Sequence, residues 1–303
     1  MTTARPPLSA RNPQAYGFAV TLLGALFFFP DALVVRLIDT DTMTIAVWRG
    51  IAAAVTTFAG LAIFGRASLP HWRELLRWPS LAMIFLQGIG SVFFLASLGQ
   101  TSAANALLIL ATAPFIAALM SWAILRERID TPTWGAIFTV FAGVGIIGAG
   151  SLGGGHLSGD LFALANAVVI AAYYVVIRMA PQGNLMPAIA IGYLLTSAIA
   201  YPFAPMAPLD LQQAALIFIS GGVILAGGCA LLQIGPRYLP AAEVSMITML
   251  EIIAGPLLVW LFIGENPGTK TLIGGCVILI AITAHTLLKL AQSQRGSNSA
   301  NSA

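Results

Sequence analysis

The sequence predicts an all-α polytopic membrane protein of ten transmembrane helices, built as two inverted five-helix repeats. Three observations lead there: ten separate apolar runs, positive charge concentrated in alternate loops, and a weak repeat of the second half on the first. A hydrocarbon core of roughly 30 Å and a rise of about 1.5 Å per residue require about 20 apolar residues per span. Runs of that kind fall at 17–37, 44–64, 80–98, 103–125, 134–152, 159–177, 187–203, 215–234, 241–263 and 271–290. Hydrophobic residues make up 58% of the chain and charged ones 8%, against roughly 25% charged in a soluble domain. A water-soluble fold is excluded. Extended polar sequence is confined to 1–15 and 291–303, which leaves no soluble catalytic domain. The first run is too long for a signal peptide's apolar core and ends in no Ala-x-Ala-like site, so it is expected to be retained.

Where the positive charges sit sets the orientation. Eleven of the fourteen Lys and Arg fall on one side: Arg5, Arg11, Arg66, Arg73, Arg77, Arg126, Arg128, Arg178, Arg237, Lys289 and Arg295. The other side has Arg36 and Lys270, and Arg49 lies within span 2. Both termini are therefore expected in the cytoplasm, with the chain in the cell's inner membrane. These charges are dispersed over short turns without an aromatic platform, which excludes a nucleic-acid partner. Cys229 and Cys276 fall within spans, where a thiol acts as a small apolar group. No disulfide, metal site or cofactor is expected.

The second half aligns on the first at a shift of about 140 residues. At 142, Gly17 meets Gly159, Leu22 meets Leu164, Ala25 meets Ala167 and Arg36 meets Arg178. At 138, Ala103-Ala104 meets Ala241-Ala242, Trp122 meets Trp260, Glu127 meets Glu265, and Thr131 and Thr133 meet Thr269 and Thr271. Five spans per half is an odd number, so the halves enter the membrane from opposite sides and the repeat is inverted. The organisation is then a tail at 1–15, a first repeat at 16–152, a second at 153–290 and a tail at 291–303, with a Gly-rich join at 150–155. Inverted repeats enclosing a midplane site recur in secondary transporters.

At these residues the chain resembles the paired EamA repeats of the drug/metabolite transporter superfamily: a small pair opens helices 4 and 9, and Glu127 and Glu265 close them. Within that superfamily it looks most like the YddG type, exporters of aromatic and other neutral amino acids. The resemblance implies alternating access for a small-molecule substrate within a lipid bilayer, and no enzyme. Many members carry Glu-Pro in mid-helix 9, whereas here Glu251 is followed by Ile252 and the proline comes at Pro256.

Gly143-Val144-Gly145-Ile146-Ile147-Gly148 matches a dinucleotide pattern but lies inside a span, where small residues serve helix packing. No Walker A loop, H-E-x-x-H or C-x-x-C occurs, and His71, His156 and His285 are scattered. An ATP-driven pump and an intramembrane metalloprotease find no support.

Ionisable residues within spans are costly and usually paired or functional. Glu251, ten residues into span 9, has Ala113 as its repeat partner and so breaks the symmetry of the halves. It is either a proton carrier or substrate-ammonium partner, or a protonated carboxyl bonded to a neighbouring helix. Asp31 follows Phe27-Phe28-Phe29-Pro30, and Asp31 and Arg49 lie six and five residues from their span ends, both roughly 8 Å deep. They form either a structural salt bridge or the two poles that hold a zwitterion. Pro30 is expected to kink span 1. The Phe run reads as core or lipid contact, or as a wall for aromatic substrates.

Glu127 and Glu265 read as turn-formers, with the threonines at 131, 133, 269 and 271 or the amides of the next helix as partners. Glu243 is a favourable helix start, and His285 a hydrogen-bonded packing residue. Gln87 and Ser91 share a face of span 3, as do Asn166 and Tyr173 on span 6, and Tyr173 is the repeat counterpart of Asp31. Asp31, Arg49, Gln87, Ser91, Asn166, Tyr173 and Glu251 are the candidate substrate-binding residues. They would line a cavity on spans 1, 3, 6, 8 and 9, or serve as polar glue between helices.

The expected activity is export of small organic metabolites, aromatic or neutral amino acids first, with a broader drug or metabolite exporter as alternative. A non-transporting membrane sensor or interaction protein is the alternative from another class. The charge bias gives a direct test of topology. Reporters after Ala303 and near Pro70 should give cytoplasmic signals, and insertions near Gly154 and Asp210 should report the opposite side. A cytoplasmic signal at Gly154 would overturn both the orientation and the inverted repeat.

Overall fold

The computed structural model describes residues 13–64, 75–152, 155–179, 185–232 and 254–301, with the isolated positions 234, 238 and 247. Among the described residues, nine helices are long and apolar enough to cross a membrane, and a tenth apolar helix, Ala254–Ile263, is shorter. The first part of predicted span 9, with Glu243 and Glu251, lies outside the described residues.

Span 1 is two helices, Pro13–Phe28 and Asp31–Leu37. Proline has no amide to give the preceding turn, so the helix stops and restarts at Pro30, whose carbonyl accepts the Val34 amide at 2.7 Å. The restart places Asp31 in a first helical turn, where exposed amides favour a carboxylate. Span 2, Thr42–Phe64, opens on Asp41, whose carboxylate accepts the Met43 and Thr44 amides at 2.9 and 3.0 Å. Span 3 is Trp78–Gln100. Span 4 is broken as well, into Ala103–Leu110 and Ala113–Leu125, just ahead of Pro114. That break falls at Ala113, the repeat counterpart of Glu251.

Spans 5 and 6 are Thr131–Ser151 and Leu157–Met179. Span 7 is Met186–Ala200 closed by a 3-10 turn, Tyr201–Phe203. Span 8 begins at Leu211, four residues before the predicted start at 215, because Asp210 and Gln213 form a reciprocal capping box that takes the first polar turn into the helix. It then widens into a π-helix, Ile219–Leu225, before Ala226–Leu232. Span 10 starts at Thr269, and its helix runs past the predicted end at 290 to Asn301.

The packing keeps the two-fold relation of the halves. Spans 2 and 7 pack on one another, as do spans 5 and 10. The contact of spans 3 and 6 is mirrored by that of spans 8 and 1, and the contact of spans 3 and 7 by that of spans 8 and 2. Ala25 of span 1 reaches Ile247 of span 9, mirroring spans 6 and 4.

Glycines set the closest approaches. A Cβ at Gly50 would stand 2.6 Å from the Tyr193 carbonyl, one at Gly192 3.0 Å from that of Ile84, and one at Gly221 2.4 Å from that of Arg49. Spans 2, 3, 7 and 8 therefore converge around Arg49 on backbone contacts that no larger residue would allow. The G-x-G-x-x-G run is settled by the same geometry. Gly143 crosses span 10 at Gly274, while a Cβ at Gly145 or Gly148 would meet nothing within 4 Å. Phe27 and Phe28 stack against Gly227 and Gly228 of span 8, so this part of the Phe run is core.

Candidate substrate site

Asp31 and Arg49 pair directly. Arg49 Nη2 donates to Asp31 Oδ2 at 2.7 Å, and the two side chains are 5% and 7% exposed. Two further contacts complete the cluster. The Ser220 hydroxyl, presented by the π-helix of span 8, donates to Asp31 Oδ1 at 3.0 Å. The Arg49 guanidinium lies 5.6 Å from the centre of the Phe94 ring, within cation–π range. Spans 1, 2, 3 and 8 thus meet on one ion pair.

The other side of Arg49 is less complete. Its Nε–H has no hydrogen-bond partner although the atom is buried. Beside it is a small cavity lined by Ala46, Gly50, Ser91, Leu95, Tyr193, Thr196 and Leu225 together with Arg49. The space open to the centre of a water molecule is about 10 Å³, room for roughly one water. An amino acid does not fit in it. Tyr193 is 1% exposed, and its hydroxyl has no oxygen or nitrogen partner. The Cys229 thiol, a weak hydrogen-bonding group, lies beside it, with Tyr173 close to both.

The predicted residues divide accordingly. Asp31 and Arg49 form the buried ion pair, and Ser91 lines the cavity while accepting from Gln87 Nε2 at 3.0 Å, so the two share a face of span 3. Tyr173 packs in the same apolar cluster as Tyr193. Asn166 is buried against Gly90 of span 3 and is not among the cavity's lining residues. Glu251 lies outside the described residues. This cavity is lined from spans 2, 3, 7 and 8, of which spans 3 and 8 are among those expected. Tyr193, Thr196, Ser220 and Phe94 were missed. A hydroxyl beside the Gly221-Gly222 pair was the available signal for Ser220.

A second polar cluster closes the bundle end opposite the termini. Arg36 pairs with Glu265 at 3.2 Å and donates to the Thr101 carbonyl at 2.7 Å. Glu265 also accepts the Ala103 amide at 2.7 Å, so its partners come from the other half and not, as expected, from nearby threonines or the next helix. The start of span 4 supplies the exposed amides that a carboxylate needs there. Deeper in, Asn105 Nδ2 reaches Thr101, Ser151 and Asp160 at 3.1 to 3.2 Å, and its Oδ1 accepts from Thr271 at 2.6 Å. Lys270 donates to the Ala149 carbonyl at 2.9 Å. The expected bonding of His285 holds: its Nε2 lies 2.9 Å from Thr133 Oγ1, which also bonds Asp130.

Breaking a buried pair leaves one charge uncompensated, at a cost of about 3–5 kcal/mol. Asp31→Asn and Arg49→Gln should each lower folded yield and thermal stability in detergent, and the double variant should lose less than the sum. Additive losses would contradict direct pairing.

A family model for the EamA-like transporter family matches the chain twice, over residues 15–149 and 157–286. No curated protein matches it. A solved structure described only as "Crystal structure of protein" superposes with a TM-score of 0.62 over 91% of this chain and 99% of its own, at 18% identity. At that identity the likeness shows the fold. The two family matches coincide with the two five-span halves and together cover most of the sequence. The chain belongs to the EamA-like transporter family of the drug/metabolite transporter superfamily, whose members are transporters and not enzymes.

Proposed function

We propose that this chain is a secondary transporter that exports neutral amino acids, aromatic ones foremost, by alternating access between the inverted halves 16–152 and 153–290. The observation that carries this reading is the buried pair of opposite charges, Asp31 and Arg49, at one point inside the bundle. A zwitterion presents the complementary two poles. An ion pair already neutral in the empty protein can receive a neutral zwitterion without leaving net charge in a low-dielectric interior. The aromatic groups Phe94, Tyr173 and Tyr193 around the pair favour a substrate with an apolar ring. A phosphorylated metabolite is disfavoured, since Arg49 is the one Lys or Arg placed well inside a predicted span.

In this reading both termini face the cytoplasm of a cell with the protein in its inner membrane, and Glu251 is the candidate for proton coupling. Counterflow tests it. Proteoliposomes loaded with unlabelled L-phenylalanine should transiently concentrate labelled L-phenylalanine, saturably, while L-lysine or L-glutamate loads should not drive it. Glu251→Gln keeps hydrogen-bonding capacity but cannot ionise, so it should flatten the pH dependence of flux. Absence of counterflow with every neutral amino acid would remove the substrate class, and an unchanged pH profile in the Gln variant would make the protein a uniporter.

A further inference from the structure

One buried acid in the cluster opposite the termini has no cation. Asp160 lies in the first turn of span 6, 5% exposed, and its Oδ1 accepts from the Thr101 hydroxyl at 2.6 Å and from Asn105 Nδ2 at 3.1 Å. Its Oδ2 is buried without a hydrogen-bond partner, and among the described residues no Lys or Arg pairs with it. Buried carboxylates are rarely left so. Lys270 is committed to the Ala149 carbonyl. Arg36, however, reaches the residue that holds Asp160: its Nη2 donates to the Thr101 carbonyl at 2.7 Å, while the Thr101 hydroxyl donates to Asp160. Its grip on Glu265 is loose. Nη2 donates at 3.3 Å, and Nε, 3.2 Å from Oε2, makes no hydrogen bond there.

The two acids on either side of Arg36 are mounted differently. Gly159 sits directly on the turn between spans 3 and 4, where an added Cβ would stand 2.5 Å from the Thr101 amide nitrogen, so a backbone contact holds Asp160 against Thr101. Glu265 lies on the turn before span 10, between Gly264 and Gly268, both at positive φ, where added Cβ atoms would meet nothing within 4 Å. We propose that Arg36 exchanges partners as this end of the bundle opens, leaving Glu265 for Asp160 while its bond to the Thr101 carbonyl serves as the pivot. The inference rests on the alternating-access part of the reading above and not on the substrate. Arg36 and Thr101 belong to the first half, Glu265 and Asp160 to the second. Opening without exchange would leave a guanidinium with no anion and Asp160 with no cation. With exchange, Glu265 stabilises the closed end and Asp160, as a positioning residue, the open one.

Spin-label distances between the turns at Asp39 and Asn266, measured on the full-length protein in nanodiscs, read the opening of this end. Asp160→Asn keeps an acceptor for Thr101 and Asn105 but removes the charge. It should shift the balance toward the shorter distance about threefold, the scale of a partly exposed ion pair. Most of that shift should vanish when Arg36→Gln is also present. If Asp160 only held the end shut, the sign would be reversed. A shift toward the longer distance, no shift, or the same shift persisting beside Arg36→Gln would each overturn the proposal. Carbodiimide coupling gives a check that does not need the Asp160 variant to fold. In Arg36→Lys the introduced amine should form amide links to both Glu265 and Asp160, identified by mass spectrometry, and in Arg36→Lys with Glu265→Gln to Asp160 alone. Absence of any link to Asp160 would overturn the exchange. The wrong sign for Asp160→Asn would leave alternating access standing, whereas one unchanging distance in every variant would overturn both.

Discussion

One ion pair inside the membrane constrains the rest of this protein. Moving a carboxylate and a guanidinium out of water costs several kcal/mol per ion, and their attraction offsets that only when the geometry is good and the remaining polar atoms are served. Several local irregularities act on this requirement. Pro30 interrupts span 1 so that Asp31 begins a new helix among exposed amides. The π-helix of span 8 brings Ser220 onto the second carboxylate oxygen. Gly221 lets that same helix touch the Arg49 carbonyl, where a methyl group would collide at 2.4 Å. Phe94 covers the guanidinium. A break, a bulge and a glycine contact, each unfavourable in isolation, converge on one charge pair.

The same halves meet a second time at the end opposite the termini, in a different physical setting. Arg36 and Glu265 are about a quarter exposed, so their attraction is screened and worth little as stability. Their value lies in connection: Glu265 joins span 1 to the start of span 4, while Asn105 gathers Thr101, Ser151, Asp160 and Thr271 behind them. A weak, water-accessible pair backed by a hydrogen-bonded hub can open at modest cost, as a transport cycle requires. The buried pair cannot open cheaply. In the proposed alternating-access cycle the buried pair is the fixed centre and the exposed pair the rim that separates.

Much of the fold was legible because the bilayer imposes a length and a polarity on every span. The broken span 1, the equal depth of Asp31 and Arg49, and the Gln87–Ser91 face followed from residue types and helical spacing alone. Span 8 was placed late because Gln212 and Gln213 look like loop residues until Asp210 is seen to cap them. Glu265 was assigned local partners because sequence proximity was the only guide, yet its partners lie 162 and 229 residues away. Tyr193 was passed over for a related reason. A tyrosine among apolar residues reads as core, and only the assembled bundle brings it to the wall of a cavity shared with Arg49. Asn166 is the converse case, a polar residue with cavity-like spacing that is buried against a glycine.

The proposed cycle, in which the rim opens while the buried pair stays assembled, is most directly tested by a distance. Spin labels at Asp39, in the turn after span 1, and at Asn266, in the turn before span 10, sit on the two sides of the Arg36–Glu265 contact. Pulsed electron paramagnetic resonance on the protein in nanodiscs should give two distance populations, the shorter matching the closed rim, and L-phenylalanine should change their ratio. Glu265→Gln should shift the ratio toward the longer distance. A single distance, unaffected by substrate and by loss of the ion pair, would contradict the account.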